Sequence, residues 1–153
     1  MSDDAFLKDK IFRPIADRVK SRGEDSLKDF TRFVKSGIEG WLKVEAVQAL
    51  GSRVRKLQNK GPDLELETDD PIKLFIELKA ATDFNIKWIT QDLYKYLREQ
   101  EYKNARLFCL FLGADKDIST KLKRLSGQAA VIAYRRFMAG NDEWIIGLIG
   151  PCP

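Results

Sequence analysis

The sequence contains no histidine among its 153 residues. Serine–histidine and cysteine–histidine catalysis, zinc sites with imidazole ligands and haem–histidine sites need that side chain and are therefore excluded. Cysteine is scarce as well: Cys109 lies among apolar residues and Cys152 lies within the last three positions. Neither looks like half of a disulfide, and two cysteines are compatible with a reducing cytosol.

Long apolar runs are also missing. The longest candidates, at 107–112 and 144–149, fall well short of the roughly 18 residues that a membrane-spanning helix needs. The opening Met-Ser-Asp-Asp is acidic and has no apolar signal core. We therefore expect a cytoplasmic protein that binds no membrane. The length and the hydrophobic content of 44% predict one folded domain over residues 1–153.

Charge is distributed unevenly along the chain, although the net charge is only +4. Four basic residues and no acid lie between Gly51 and Gly61, and five basic residues and no acid lie between Ile118 and Asn141. An acidic segment at 63–70 separates them. Basic segments around an acidic one suit a metal-dependent enzyme that holds a polyanion, and ordinary solvated surface is the alternative interpretation.

Hydrophobic periodicity predicts the elements of secondary structure. The first twenty residues form a helix that is interrupted or delayed at Pro14 and broken at Arg22-Gly23, and a second short helix follows. Ser36 caps a third helix that ends at Gly51. The remaining elements are a candidate strand at 54–57, a β-hairpin at 63–79, a helix at 86–98, a strand at 106–112, a short helix at 118–125 and a terminal hairpin formed by 131–138 and 144–149.

The first hairpin brings three polar residues together. Strand alternation places Glu77 and Lys79 opposite the apolar residues of their strand, and Asp63 takes the equivalent face of the first strand. Two adjacent carboxylates repel each other unless a divalent cation lies between them, and oxygen ligands with retained water suit Mg²⁺ best. A lysine two residues beyond a ligand can align water and stabilise charge on a phosphate. An exposed hairpin with a charged outer face is the alternative.

Pro62-Asp63 followed by Glu77-Leu78-Lys79 resembles the motif of the PD-(D/E)XK phosphodiesterase superfamily, the restriction-endonuclease-like nucleases. The resemblance covers residues 36–112. It implies an α/β fold with a mixed four- to five-stranded sheet flanked by helices, preceded by a helical extension at 1–35 and followed by a helix and hairpin at 113–153.

The resemblance also implies a function and a set of site residues. Asp63 and Glu77, helped by the backbone carbonyl of Leu78, are expected to bind Mg²⁺, for which Mn²⁺ should substitute. Lys79 is expected to serve the attacking water. The implied reaction is hydrolysis of DNA phosphodiester bonds by an endonuclease, without an organic cofactor. The choice of DNA over RNA comes from the resemblance alone.

A further carboxylate, Glu45, falls in the middle of the apolar face of the third helix. Burial of a lone charge is expensive, so Glu45 must be paired or linked to a metal. Many members of the superfamily carry a glutamate on this helix that points into the site, and Glu45 is assigned to that catalytic position. An ion pair with Arg53 or Arg55 is the alternative. Glu39 is interpreted as part of the helix cap, paired with Lys43.

One stripe of the helix at 86–98 combines basic, amide and aromatic residues opposite its apolar face. Such a stripe suits a nucleic-acid backbone, and a solvated polar face is the alternative. Some branches of the superfamily place a glutamine and a tyrosine of this helix near the site, and Gln91 with Tyr94 resembles that pattern. The predicted nucleic-acid-binding residues are Lys87, Gln91, Tyr94, Lys95 and Arg98.

The second strand of the terminal hairpin, 144–149, shows little alternation of apolar and polar residues. Such a strand is either buried within the monomer or paired with a partner, and pairing predicts a homodimer. Two other functions remain open from the sequence. One is a catalytically silent nucleic-acid-binding or scaffolding protein on the same fold. The other is a structural interaction protein that uses the terminal hairpin as its interface.

Overall fold

The computed structural model describes residues 3–33, 37–58, 60–81, 86–114, 120, 122–123 and 129–151. The chain has an α/β fold in which helices flank one mixed six-stranded sheet. The helices are α1 (Asp3–Phe6), α2 (Arg13–Phe33), α3 (Gly37–Leu50) and α4 (Ile86–Arg98). The strands are β1 (Val54–Leu57), β2 (Leu64–Leu66), β3 (Leu74–Ala81), β4 (Arg106–Gly113), β5 (Ala129–Ala139) and β6 (Asp142–Pro151).

The strand order in the sheet is β1-β2-β3-β4-β6-β5. Among the described strands, β3 and β4 are parallel neighbours, and α4 makes the crossover between them; the other neighbouring pairs are antiparallel. The predicted α/β class is confirmed, whereas the predicted four to five strands are too few. The terminal hairpin, expected as an addition to the core, joins the same sheet because β6 pairs with β4.

The two faces of the sheet are covered by different helices. Alternate strand residues, such as Ile76 and Leu78, pack with apolar residues of α2 and α3 in the larger core cluster. Phe75 and Leu107 point to the other face, where they pack with Leu93 of α4. Residues that alternate with the core of α2 and α3 therefore lie on the face of α4.

The N-terminal helices differ from the prediction. A π-helical turn at Leu7–Phe12 precedes α2, and Pro14 is the second residue of that helix. The predicted break at Arg22-Gly23 is wrong, because α2 continues through it. A Cβ at Gly23 would lie 3.0 Å from the Cδ1 of Leu27 and 3.2 Å from the ring of Phe137. Glycine is therefore explained there by the close packing of α2 on β5.

The terminal hairpin forms as predicted, with Gly140 at its turn in the left-handed region at φ +63°. Strand β6 lies between β4 and β5, and Ile146 is fully buried. Burial within the sheet thus accounts for its apolar sequence without a partner subunit. Across the described residues, no helix combines the length and apolar character needed to cross a bilayer. Ser36, Cys152 and most of the predicted helix at 118–125 lie outside the described residues.

Candidate active site

The β2–β3 hairpin sets the register of the two motif carboxylates. Leu64 pairs with Ile76, so the preceding Asp63 lies opposite Glu77 at the end of the ladder. The backbone N–H of Leu78 donates to Asp63 Oδ2 over 2.8 Å, and the N–H of Gln58 donates to the Asp63 carbonyl over 2.9 Å. Asp63 is therefore held from both neighbouring strands.

The entry to this hairpin requires a glycine. Gly61 has φ +83°, a region that favours glycine, and a Cβ at that position would collide with the hydroxyl of Tyr102. Gly61, at which the chain approaches Tyr102 closely, lies only two residues before Asp63 and three before the first residue of β2. The glycine that precedes Pro62-Asp63 thus has a local structural cause.

Asp63 and Glu77 form a directly hydrogen-bonded carboxyl pair. The side chain of Glu77 is buried, with 5% of its surface exposed. This burial, together with the hydrogen bond and the repulsion from Asp63, raises the pKa of Glu77 to about 9. In the absence of a cation, Glu77 therefore keeps its proton at neutral pH and donates it to Asp63.

Lys79 follows on β3 and forms an ion pair with Asp92 of α4. Burial alone would lower the pKa of Lys79, but the hydrogen bond to Asp92 and the charges of Asp92, Glu77 and Glu39 outweigh it and raise that pKa. Lys79 is therefore a cation at neutral pH. It can donate hydrogen bonds and stabilise negative charge, but it cannot accept a proton.

Among the described side chains of α4, those of Asp92 and Tyr96 contact the motif. The hydroxyl of Tyr96 donates to Glu77, and the pKa of Tyr96 is raised by partial burial and by the nearby charge of Glu77. The sequence-based assignment of Gln91 and Tyr94 to this place stays a prediction, whereas the contacts of Asp92 with Lys79 and of Tyr96 with Glu77 are present in the structure. Asp92 and Tyr96 lie one helical turn apart and share the face of α4 that borders the motif.

Glu39 of α3 is the carboxylate that the sequence analysis missed. Partial burial and the charge of Asp63 raise the pKa of Glu39, whereas Lys79 and a hydrogen bond from the Ala80 N–H act in the opposite direction. Lys43, one turn further on, has its Nζ 3.6 Å from Asp63 Oδ1. The spacing of Glu39 and Lys43 is therefore a signal for a helix side that faces the motif, and their interpretation as part of the helix cap involves Ser36, which lies outside the described residues.

Glu45, predicted to support the site, lies in a different environment. Its carboxylate is 3% exposed and accepts hydrogen bonds from Arg18 Nε over 2.6 Å and from Arg22 Nε over 2.9 Å. The catalytic assignment of Glu45 is therefore corrected, because α2 supplies two cations that neutralise it. The predicted alternative of an ion pair was right in kind, but its partners are Arg18 and Arg22 rather than Arg53 or Arg55.

The predicted nucleic-acid-binding residues of α4 are in part solvent-accessible. Gln91, Lys95 and Arg98 are exposed and Tyr94 is half-buried. The Nζ of Lys95 lies 5.7 Å from the ring centre of Tyr96, and Lys95 also lines a groove beside the site. The side chain of Lys87 lies outside the described residues.

The donor set is a carboxyl pair rather than a complete metal cage. Within the part of the chain that the structure describes, no group of three or more His, Cys, Asp or Glu side chains is arranged to hold a metal ion. Asp63 and Glu77 nevertheless offer oxygen atoms at one point, and a divalent cation there would relieve the repulsion that raises the pKa of Glu77. The chemistry of the pair therefore fits a hard cation.

Comparisons with known proteins identify no relative. A scan against protein-family models, a search of curated proteins and a search of solved structures each found no match to this chain. A functional proposal therefore depends on the site itself.

Proposed function

We propose that the chain is a Mg²⁺-dependent nuclease of the PD-(D/E)XK type that hydrolyses phosphodiester bonds in DNA. The observation that carries the proposal is the buried contact between Asp63 and Glu77, with Lys79 two residues further along the same strand. Two carboxylates placed together destabilise a fold, since one of them must hold a proton far above its usual pKa. A ligand that needs both groups explains why they are adjacent.

The residues that would hold the cation are Asp63, Glu77 and the backbone carbonyl of Leu78. When bound, Mg²⁺ would polarise the phosphate and favour ionisation of an attacking water. The raised pKa of Glu77 implies that this carboxyl must lose its proton to become a ligand. Tyr96 assists, because its hydroxyl stabilises the ionised form of Glu77.

The other site residues divide between charge stabilisation and proton transfer. Lys79 stays protonated and donates to the water or to the phosphate, and Asp92 positions its ammonium group. Glu39 takes the supporting role first assigned to Glu45. Its raised pKa brings it nearer the working pH, so Glu39 is the carboxylate proposed to accept the proton of the water.

A catalytically silent nucleic-acid-binding protein on the same fold is the second candidate. Two observations favour it: Lys79 is occupied by Asp92, and no third acidic ligand joins the pair among the described residues. The two candidates predict the same binding of nucleic acid but differ in cleavage. A homodimer is retained as a proposal only through the outer strand β5, which has Val131, Tyr134 and Met138 exposed.

Cleavage assays on plasmid and on branched DNA, with Mg²⁺ or with EDTA, test the proposal. We expect Mg²⁺-dependent cleavage by the wild type and a loss of about 10²–10³-fold or more in Asp63→Asn and in Lys79→Ala. Lys20→Ala, an exposed lysine of α2 on the opposite face of the sheet, is the matched control and should cleave normally. Equal cleavage by the wild type and Asp63→Asn would refute the proposed nuclease activity of this site. DNA binding without any cleavage would support the silent protein.

A further inference from the structure

A groove of about 640 Å³ lies beside the carboxyl pair, between the end of β1, the turn at Gly61 and the C-terminal half of α4. Its walls combine positive charge with apolar and aromatic surface. Lysine side chains come from both sides of the groove, and an exposed leucine lies next to one of them. The residues that matter here are Lys56, Leu57, Lys60, Lys95, Tyr96 and Tyr102.

The groove is continuous with the candidate active site through Tyr96. That side chain lines the groove and at the same time donates its hydroxyl proton to Glu77. Gly61, which also lines the groove, lies two residues before Asp63. A ligand in the groove would therefore contact Tyr96, whose hydroxyl contacts Glu77, so the groove is placed to hold a part of a substrate near the bond that is cut.

The charge of the groove indicates a short anion rather than a long one. Three lysines line it, but Glu99 and Glu101 line it too and reduce its net charge to one positive. A duplex, whose phosphates extend along both strands, would meet these two glutamates as well as the lysines. A single strand can direct one or two phosphates to the lysines and keep clear of the acids.

The apolar part of the groove favours unstacked bases. Leu57 is 53% exposed on the outermost strand, beside Lys56, and Tyr96 carries Lys95 over its ring. In a duplex the bases are stacked and paired, so these surfaces would stay unused. Single-stranded nucleic acid combines phosphates for the lysines with a free base face for the exposed leucine, and phosphate and base contacts together are usual in single-strand binding.

We propose that this groove binds about one or two nucleotides of single-stranded DNA adjacent to the scissile phosphate, since pockets of roughly 300–1,000 Å³ hold ligands of that size. The proposal rests on the proposed nuclease function and narrows its substrate. The enzyme acts where a strand is unpaired, at an overhang, a flap or a frayed end. Lys56, Lys60 and Lys95 contact phosphates, and Leu57 contacts a base.

Fluorescence anisotropy in EDTA tests the groove without cleavage. The probes are labelled oligothymidylate, a blunt hairpin duplex and oligouridylate, measured over a series of salt concentrations. We expect the wild type to bind oligothymidylate at least about 5-fold more tightly than the duplex. Lys56→Ala and Lys95→Ala should each weaken that binding and each reduce the salt slope by about 0.7, the value for one phosphate contact on a single strand. Equal binding of oligouridylate would support single-strand binding by the groove and extend that binding to RNA.

Two further variants separate the groove from the fold and from the chemistry. Leu57→Glu adds negative charge to an exposed edge position, so it should stay folded and should weaken binding about 10-fold or more. Lys20→Ala should bind as the wild type does. Tighter binding of the duplex, or unchanged binding in Lys56→Ala, Lys95→Ala and Leu57→Glu, would overturn the proposal that the groove binds single-stranded DNA.

Failure of the groove and failure of the nuclease are distinguishable. Asp63→Asn should bind oligothymidylate normally and cut nothing. If the groove variants bind normally while Asp63→Asn abolishes cleavage, the proposed single-strand binding by the groove is refuted and the proposed nuclease activity is supported. If the groove variants lose binding while Asp63→Asn cleaves as the wild type does, the catalytic role of the carboxyl pair is refuted and the proposed single-strand binding by the groove is supported.

Discussion

Two buried glutamates on either side of the sheet have opposite surroundings. Glu45 on α3 is 3% exposed and contacts the guanidinium groups of Arg18 and Arg22. Glu77 on β3 is 5% exposed and contacts another carboxyl group, that of Asp63. The charge of Glu45 is neutralised by these two arginines of the same chain. Glu77 is neutralised by holding a proton, since its pKa is raised to about 9.

The two glutamates are buried to a similar extent, so the charge of the groups that they contact, and not burial, distinguishes a structural role from a functional one. A buried carboxylate with two cations needs nothing more, and its removal should affect the fold. A buried carboxyl group beside a second one has an unfavourable position in the free protein, which indicates a site that awaits a positive ligand. Variants on one side of this comparison should leave the surroundings of the other glutamate unchanged.

The largest effect on stability is expected at Glu45. Arg18→Ala leaves a buried carboxylate with one partner fewer and should lower the free energy of unfolding by about 2–3 kcal/mol, less than for a fully buried pair because Arg18 is partly exposed. Chemical denaturation in EDTA measures this. Asp63→Asn is the matched variant and should be as stable as the wild type or slightly more stable. Equal destabilisation by both variants would mean that Asp63 is structural as well.

The metal affinity should depend steeply on pH. Because Glu77 must lose a proton to bind a cation, the apparent affinity for Mn²⁺ should rise up to about tenfold per pH unit below the pKa of about 9. Mn²⁺ titrations at several pH values measure this slope. Glu45→Gln, which changes the other buried glutamate, should keep the slope. An affinity that is independent of pH would show that Glu77 is not a ligand.

The stability of the metal-free protein should also depend on pH. The pKa of Glu77 is raised in the folded state from the ordinary value of 4.5 to about 9, so between these values the folded state binds more protons than the unfolded state. Stability should therefore fall as the pH rises, by up to about 1.4 kcal/mol per unit. Melting curves in EDTA measure it. In Glu77→Gln that part of the slope should vanish, and an unchanged slope would contradict the raised pKa.

The smallest effect is expected at Tyr96. Tyr96→Phe removes the hydroxyl that stabilises ionised Glu77, so Glu77 should hold its proton more tightly and Mn²⁺ affinity near neutral pH should fall a few-fold. Calorimetry measures the change. Tyr94→Phe, on the same helix but outside the cluster around Glu77, is the control. A gain in affinity in Tyr96→Phe would reverse the proposed role.

Much of the sheet is predictable from local pattern. The apolar runs of β3, β4 and the terminal hairpin are visible in the sequence because buried strands need them, and β3 and β4 extend only slightly beyond the expected bounds. The unbroken course of α2 is not visible. A glycine inside a helix predicts a break locally, and the contact of Gly23 with Phe137, far along the chain, reverses that prediction.

The site, too, has a part that local pattern predicts and a part that it does not. Asp63, Glu77 and Lys79 belong to one hairpin, whose alternation and register determine which of them meet. Glu39, Asp92 and Tyr96 come from helices, and their place depends on how α3 and α4 rotate against the sheet. Apolar periodicity gives that rotation only coarsely. It shows that Glu45 lies on the apolar face, but it does not reveal the pairing of Glu45 with Arg18 and Arg22. Nor does it reveal that Asp92 contacts Lys79 and that Tyr96 contacts Glu77.

The central claim is that the carboxyl pair exists to hold a divalent cation. Isothermal titration of the metal-free protein with Mn²⁺ near pH 8, on the wild type, Asp63→Asn and Glu45→Gln, tests it most directly. We expect binding of one or two cations by the wild type and by folded Glu45→Gln. Asp63→Asn should lose about tenfold or more in affinity. Undiminished binding in Asp63→Asn, or no binding by the wild type, would contradict the claim.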